Sequence, residues 1–450
     1  MKKNFMFVVF AALFVFPAVS FSGEQTAALY REGPLTGKMI DAGFLYGETN
    51  YHAVQQASDG NVYYAIGSHA HGQSATLFRY DPRSGAVKLL GSMNTVTGED
   101  GTKVFNQDKV HCDLYEMNGK LYFSTQGGSY GGGEYGPYPG GRFFSYDLKT
   151  EKIADLGIGA PGEGIVCMGM DTVRGRMYGI TWPGMLFVYY DVPTGKIKSF
   201  GKQVATPGIT DLTAVPGNRA LAVDPTTGNV WWHNMDETIT RYSRVTDTVE
   251  ILASPTLDIP ILKIPGAGFN KVLWRAIRWS QAMQRFYGVD ASAEYLFSLD
   301  PKTGTIEIID RIAAGPNRKS GRTGSASLAF ELSPDGKRVY YVTSARAEKP
   351  DASGRRSEHR LVTFDLSLRR YIDHGPIVLD DGRRPSSCSG LDVGRDGSLY
   401  LVCIIPLADP GSDRGKKITA AHFPAVAKEK LKDAAYEVNL VVVKGPLLLR

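Results

Sequence analysis

The chain predicts an all-β fold, a seven-bladed β-propeller of four-stranded blades, and three observations carry that expectation. The first is a recurring hairpin phrase, Phe78-Arg-Tyr-Asp-Pro-Arg-Ser-Gly-Ala-Val, which returns from Phe144, Val188, Phe297 and Val362, with a worn copy from Thr240. Asp and Pro open its turn, and Gly fills the position that needs positive φ. The second is a phrase that precedes each copy, as in Asp59-Gly-Asn-Val-Tyr-Tyr, Asn118-Gly-Lys-Leu-Tyr-Phe and Thr227-Gly-Asn-Val-Trp-Trp. It recurs around Gly175, Gln284, Gly336 and Gly397, making seven hairpins. The third is their spacing of about 50–60 residues, the period of repeating four-stranded units.

Taken in chain order, residues 1–22 read as a secretory signal peptide. Lys2 and Lys3 precede an apolar run from Phe5 to Phe16, followed by the small-x-small site Ala18-Val19-Ser20. The expected location is therefore exported, periplasmic or extracellular. Residues 23–450 read as a single domain. The seventh hairpin is not followed by the second phrase. In its place comes an insertion, 405–434, helical in pattern at Ala425–Lys432, and then one apolar strand, Tyr436–Val443. Gly37-Lys-Met-Ile-Asp-Ala-Gly43 matches Glu151-Lys-Ile-Ala-Asp-Leu-Gly157, the outer strand of the second blade. Residues 38–43 are thus expected beside 436–443, closing the ring and covering an edge that would otherwise be open.

Lys and Arg number 51 against 46 Asp and Glu, a net charge of +5, which is too weak a field for a nucleic-acid partner. No segment beyond the leader is apolar for long enough to span a bilayer. Four cysteines are too few for a disulfide scaffold. Cys388 and Cys403 fall on the two strands of the last hairpin, about two residues out of register, so a disulfide between them stays open. The common zinc, haem and redox signatures are missing from the sequence. Oligomeric state is not legible.

Long loops fall on one face. They include Ser68–Ser74, Gly127–Gly141 and Ser344–Glu358, whereas the opposite face carries tight turns. Insertions gathered on one rim mark the functional face. Aligning inner strands on their turn glycines sharpens this. His52, His111 and Cys167 each stand eight residues before a turn Gly, with Arg219, Arg275 and Cys388 one place earlier in later blades. Second strands return to this face near His69, Gln126, Trp182, His233 and Asp290. These side chains are expected to converge on one channel mouth, with Tyr130, Tyr135 and Tyr138 as loop platforms for sugar stacking. The rim acids Glu99, Asp100, Asp108, Glu134, Glu163 and Asp290 show no pairing of the kind a glycoside hydrolase needs.

A mildly basic mouth bearing His and Tyr suits an acidic polysaccharide or oligosaccharide. Cleaving a uronate chain by β-elimination needs a cation on the carboxylate, a base for the α-proton and an acid for the leaving oxygen. Arg275 or Arg219 would serve as the cation, His111 or His52 as the base, and a loop Tyr as the acid. Arg219, Gln126, Tyr130, Tyr135, Tyr138, Trp182, His233 and Asp290 would contact substrate. At Asp108–His111, Lys120–Gln126, Tyr138–Asp147, Gly179–Pro183 and Trp274-Arg275 the chain resembles propeller polysaccharide lyases of the ulvan-lyase and oligogalacturonate-lyase types. That resemblance implies lyase activity. It also implies a divalent metal (Ca, Mn or Zn) at the mouth, held by side chains such as His52, His69, His71 and Gln126, although the sequence itself requires no cofactor. Gln126 stands where that group commonly has His, and Asp290 takes another such place. The rival reading is a non-catalytic propeller that binds a glycan or a protein partner in the cell envelope, or a subunit of a larger complex.

Overall fold

In a computed structural model of the protein, residues 34–127, 137–204, 218–234, 238–252, 274–290, 295–320, 326–351, 354–422 and 435–444 are described. The leader 1–22, Tyr130, Tyr135, Glu134 and the helical pattern at 425–432 lie outside them, as does the whole loop 253–272.

The chain opens with β1 (Leu35–Ile40). The first unit is β2 (Val54–Gln56), β3 (Val62–Ile66), β4 (Thr76–Tyr80) and β5 (Val87–Ser92), followed by the short helix α1 (Met93–Thr97). The second has a split inner strand, β6 (Lys109–Val110) and β7 (Tyr115–Met117), which both pair with β8 (Lys120–Gln126). It continues with β9 (Arg142–Asp147) and β10 (Lys152–Ile158). The third is β11 (Gly164–Asp171), β12 (Arg176–Trp182), β13 (Leu186–Asp191) and β14 (Lys196–Lys202). The fourth is β15 (Ala222–Val223), β16 (Val230–His233), β17 (Ile239–Ser243) and β18 (Thr248–Leu252). The fifth is β19 (Trp274–Ser280), β20 (Arg285–Asp290), β21 (Tyr295–Leu299) and β22 (Ile306–Arg311). Each is an antiparallel meander whose turns take the αL position the repeat phrase anticipates, with Gly60 at φ 86° and Gln284 at 52°.

The remaining strands form a single eight-stranded sheet rather than two separate ones. After α2 (Gly315–Ser320) come β23 (Ala326–Leu332), β24 (Arg338–Arg346), β25 (Ser357–Asp365) and β26 (Arg370–Leu379). Then follow β27 (Ser387–Val393), β28 (Leu399–Pro406), α3 (Asp413–His422) and β29 (Tyr436–Val443). The spatial order is β23-β24-β25-β26-β1-β29-β28-β27. Divided at the β26–β1 junction, this sheet gives a sixth and a seventh four-stranded unit beside the five separate sheets. The ring is closed by the N-terminal strand. β1 runs antiparallel to β29, from Gly37 opposite Val443 to Ile40 opposite Leu440, and parallel to β26, with Leu35 opposite Ile377. The clasp thus starts three residues earlier than the sequence match suggests, because the parallel partner engages Leu35–Gly37 as well.

Two further expectations are corrected. The insertion begins after Pro406, since β28 runs through that residue, and a helix that the sequence pattern does not mark occupies Asp413–His422, whereas the expected helical stretch at 425–432 lies outside the described residues. Cys388 and Cys403 are directly opposed, brought into register by a bulge between Cys388 and Gly390, with 3.0 Å between their sulfurs. Both are thiols rather than a disulfide, buried in the core of the fused sheet.

Packing follows the alternation of the strands. Leu35 and Ile40 of β1 are buried while Thr36 and Lys38 face solvent. Leu35 joins Ile377, Leu379, Val441 and Val443 in one cluster, and burying an aliphatic side chain of this kind contributes about 1.5–3 kcal/mol. Gly37 sits where a Cβ would meet Val441 Cγ1 at 2.7 Å. Gly37→Val should therefore lower stability by about 1–3 kcal/mol in chemical denaturation through overpacking. The exposed neighbour Lys38→Ala should stay within ~0.5 kcal/mol of the parent. Equal midpoints for Gly37→Val and the parent would contradict the clasp.

Candidate functional site

The inner strands carry their first residues to the long-loop face and their last to the tight-turn face, so the register fixes depth in the central channel. Near the long-loop end, His52, His111, Cys167, Arg219 and Arg275 line one cavity of about 20 Å³, with Asp113 and Arg278 at its floor. That is room for a water or two, or for a carboxylate group, but not for a sugar ring. Cys388, aligned with them by spacing, is instead buried against Cys403.

The electrostatics of this constriction are one-sided. Arg219 Nη1 donates to His111 Nε2 at 2.9 Å. A guanidinium can only donate, so Nε2 carries the lone pair and the imidazole proton sits on Nδ1, which is buried without a hydrogen-bond partner. The His111 ring stacks on Tyr51 with centroids 4.3 Å apart, and Lys109 Nζ lies 5.0 Å from the Tyr51 ring centre. Burial, then the charges of Arg219 and Lys109, hold His111 well below the usual His range. His52 adopts a left-handed backbone, φ 71°. Burial lowers its pKa to about 3; Asp113 opposes that, and Arg278, Arg275 and Arg219 add to it. Both imidazoles are thus neutral at physiological pH. Burial and the Arg219 charge bring Arg275 down to about 10, so it remains charged. No carboxylate stands within ion-pair distance of Arg275 among the described residues. Burial raises the Cys167 thiol to about 12, which removes it as a nucleophile.

Deeper in the channel the sign reverses. Arg278 donates to Asp113 at 2.6 Å and to Glu331 at 2.7 Å, tying the second, fifth and sixth units together. Asp392 joins them along a wider cavity of about 360 Å³, floored by Trp279 and Phe286 and opening towards the tight turns. It accepts the Gln56 N–H at 2.5 Å. Burial, then the Glu331 charge, raises its pKa to about 7. Spacing from the turn residues would have found this network, since Asp113 and Arg278 stand six residues before Gly119 and Gln284, and Glu331 and Asp392 five before Gly336 and Gly397. The histidine alignment drew attention away from it.

The other expected site residues are dispersed. Gln126 ends β8 with its Oε1 buried and without a hydrogen-bond partner. Asp290 is fully buried and accepts the Tyr295 N–H at 2.7 Å, so its carboxylate bridges the ends of β20 and β21. His233 is fully buried with its ring 6.1 Å from that of Trp274, between the fourth and fifth units. Trp182 packs on the aromatic core of the third and fourth units. Tyr138 lies edge-on to Phe105 and covers Gly127. Two rim carboxylates are committed as well. Glu163 receives Thr181 Oγ1 and the Gly184 N–H, and Glu99 pairs with Arg142. His69 Nδ1 lies 2.5 Å from Glu48 Oε2, and His71 is exposed. Among the described residues no three His, Cys, Asp or Glu side chains gather as metal ligands. The central imidazoles face guanidiniums, a donor set that does not fit a divalent cation.

No protein-family profile matches the chain, and no curated protein does. Solved structures resemble it in fold. A protein from Lactobacillus plantarum is 11% identical, with a TM-score of 0.50 over 78% of this chain and 93% of that one. The extracellular domain of a protein described as a one-component system from B. thetaiotaomicron is 13% identical, with a TM-score of 0.48 over 82% of this chain but only 39% of that one. A protein described as a 6-phosphogluconolactonase from Bacteroides uniformis is 12% identical, with a TM-score of 0.47 over 74% and 87%. At these identities the likeness is one of β-propeller architecture alone. Among the described residues no helix is long and apolar enough to cross a membrane.

Asp392 makes the channel sensitive to pH. Its folded pKa of about 7 exceeds the ordinary Asp value of 3.8, so its contribution to stability is fully present below about pH 4 and is lost as pH rises through 7. His52 has the opposite sign, since a depressed imidazole loses stability as pH falls from 6.5 towards 3. Asp392→Asn should match the parent near pH 4 and exceed it at pH 8 by on the order of 2–4 kcal/mol in urea titrations. A constant difference across that range would remove Asp392 as the titrating group.

Proposed function

We propose that the protein is an exported receptor for acidic glycans that engages a uronate carboxylate at the constriction formed by His52, His111, Arg219 and Arg275. Arg275 carries the argument. It is a charged guanidinium in a confined cavity, beside a second guanidinium and without a carboxylate in reach among the described residues. Such a charge is costly to hold partly buried without a counter-ion, and a ligand carboxylate would satisfy it through two parallel hydrogen bonds. The buried, unpartnered His111 Nδ1 and Gln126 Oε1 add a donor and an acceptor of the kind that ligand hydroxyls or water satisfy. The cavity accepts the acid group and excludes the ring, so the glycan would enter carboxylate first, with its body in the mouth. Export is supported by the leader-like pattern at residues 1–22.

β-Elimination is the second reading, favoured by one observation: two neutral imidazoles share a cavity with Arg275. The α-carbon proton would pass to an imidazole nitrogen, its electron pair would form the C4=C5 double bond as the C4–O bond to the neighbouring sugar breaks, and the leaving oxygen would take a proton from water, while Arg275 holds the carboxylate charge that grows as the proton leaves. The His111 lone pair is occupied by Arg219, which makes His52 the better-placed base and weakens the reading.

Calorimetry with tri-galacturonate should show binding that Arg275→Lys weakens about 10-fold or more, because an ammonium cannot reproduce the two-point contact. Absorbance near 235 nm then separates the readings. Binding without an unsaturated product establishes a receptor, whereas product that His52→Ala cuts roughly 10²-fold establishes a lyase. If neither tri-galacturonate nor other uronate oligomers bind, the assignment of this constriction fails.

A further inference from the structure

The sixth unit carries a second concentration of positive charge that the central constriction does not use. Its strands β24 and β25 are nine residues each, and they run on towards the long-loop face as a projecting hairpin in which Arg346 lies opposite Ser357. At the base of this hairpin is a cavity of about 600 Å³ lined by Lys319, Arg346, Lys349, Arg360 and Arg384, with Glu348 and Glu358. That is the size of a ligand pocket, not of a water site.

Of its two acids, Glu358 is already taken, whereas Glu348 is exposed and pairs with no described cation. Arg360 donates to Glu358 at 2.6 Å and to Asp373 at 3.0 Å, and the same Glu358 lies 4.0 Å from Arg384. Arg384 also donates from Nη1 to the Lys349 carbonyl at 3.1 Å, which leaves its Nε buried and without a hydrogen-bond partner. Arg360 and Arg384 are therefore fixed in place and largely neutralised by Glu358 and Asp373. Arg346 and Lys349 are exposed on the same wall and make no ion pair with any described carboxylate. The pocket thus has a fixed arginine floor and a wall on which two exposed cations, Arg346 and Lys349, stand against one exposed acid, Glu348.

We propose that this pocket binds an oxyanion group (carboxylate, sulfate ester or phosphate) on a ligand of about sugar size, as a binding site separate from the central constriction. Arg346 and Lys349 supply the charge, and Arg384, held on the floor by the Lys349 carbonyl, adds to it. The fixed floor makes the contact charge-assisted without a large ordering cost. The assignment does not depend on Arg275.

Hydrogen–deuterium exchange of the whole protein tests it with three probes: inorganic phosphate, tri-galacturonate and a sulfated galactose oligosaccharide. At least one should slow exchange across 344–360, and raising salt to about 1 M should abolish the effect, since exposed charges are then screened within ~3 Å. The double variant Arg346→Gln, Lys349→Gln touches only exposed side chains and should keep the parent melting temperature. It should nevertheless weaken that probe about 10-fold. Arg275→Gln should leave the protection at 344–360 intact, so failure of the central site and failure of this one read out separately. The responding probe identifies the oxyanion: protection by phosphate alone indicates a free anion, and protection by one oligosaccharide indicates its acid group. No protection with any probe, or protection unchanged in the double variant, overturns the site.

Discussion

Everything in this molecule hangs on β1 lying between β26 and β29. Six residues near the start of the described chain supply the outer strand of the seventh unit and, by pairing parallel to β26, weld it to the sixth. The contact is reinforced by Ala42, whose N–H reaches Asn439 Oδ1 across 397 positions of sequence. Without that strand, both β29 and β26 would present unpaired edges. With it, the inner strands are held close enough for Arg278 of the fifth unit to bond Asp113 of the second and Glu331 of the sixth. A channel network of that kind exists only while the ring stays closed.

That network divides the channel by charge. Towards the long loops stand two guanidiniums and two neutral imidazoles; towards the tight turns stand Asp113, Glu331 and Asp392 around a single arginine. Arg278 is the boundary, held charged by its two carboxylates, while Arg275, one strand-turn above it, faces none. The contrast separates a structural arginine from a candidate binding arginine in the same strand. An arginine with two carboxylates has its charge matched inside the protein, whereas one beside another arginine is matched only from outside.

The ring was legible because its repeat is chemical as well as periodic: each turn needs a residue that tolerates αL, and Gly60, Gly119 and Gly175 mark those places in the sequence. The same glycines set the register that brings His52, His111, Arg219 and Arg275 together. Side chains at the far ends of second strands were less legible. Gln126, His233 and Asp290 all end strands near the same face, but spacing does not say whether such a residue turns to the channel, into the space between units or back to its own loop. Asp290 bonds the Tyr295 amide because the chain must return there. The pairing of Cys388 with Cys403 was missed for a related reason, since a one-residue bulge shifts register without a sequence signature. The weld between β1 and β26 was not foreseeable from the match to residues 151–157, which in the second unit form a strand paired on one side only.

The weld also has a bearing on the order of events as the chain is made. β1 leaves the ribosome early and has no partner until β26, and then β29, has followed. Until that moment it is a short strand whose apolar residues Leu35, Met39 and Ile40 have nothing to pack on, and the five complete sheets form an arc with two free ends. Long-range pairing of this kind is slow and exposes edges while it waits. The protein must therefore pass through an unlocked arc before it becomes a ring, and whatever keeps two such arcs apart during synthesis matters as much to its survival as any contact in the finished fold.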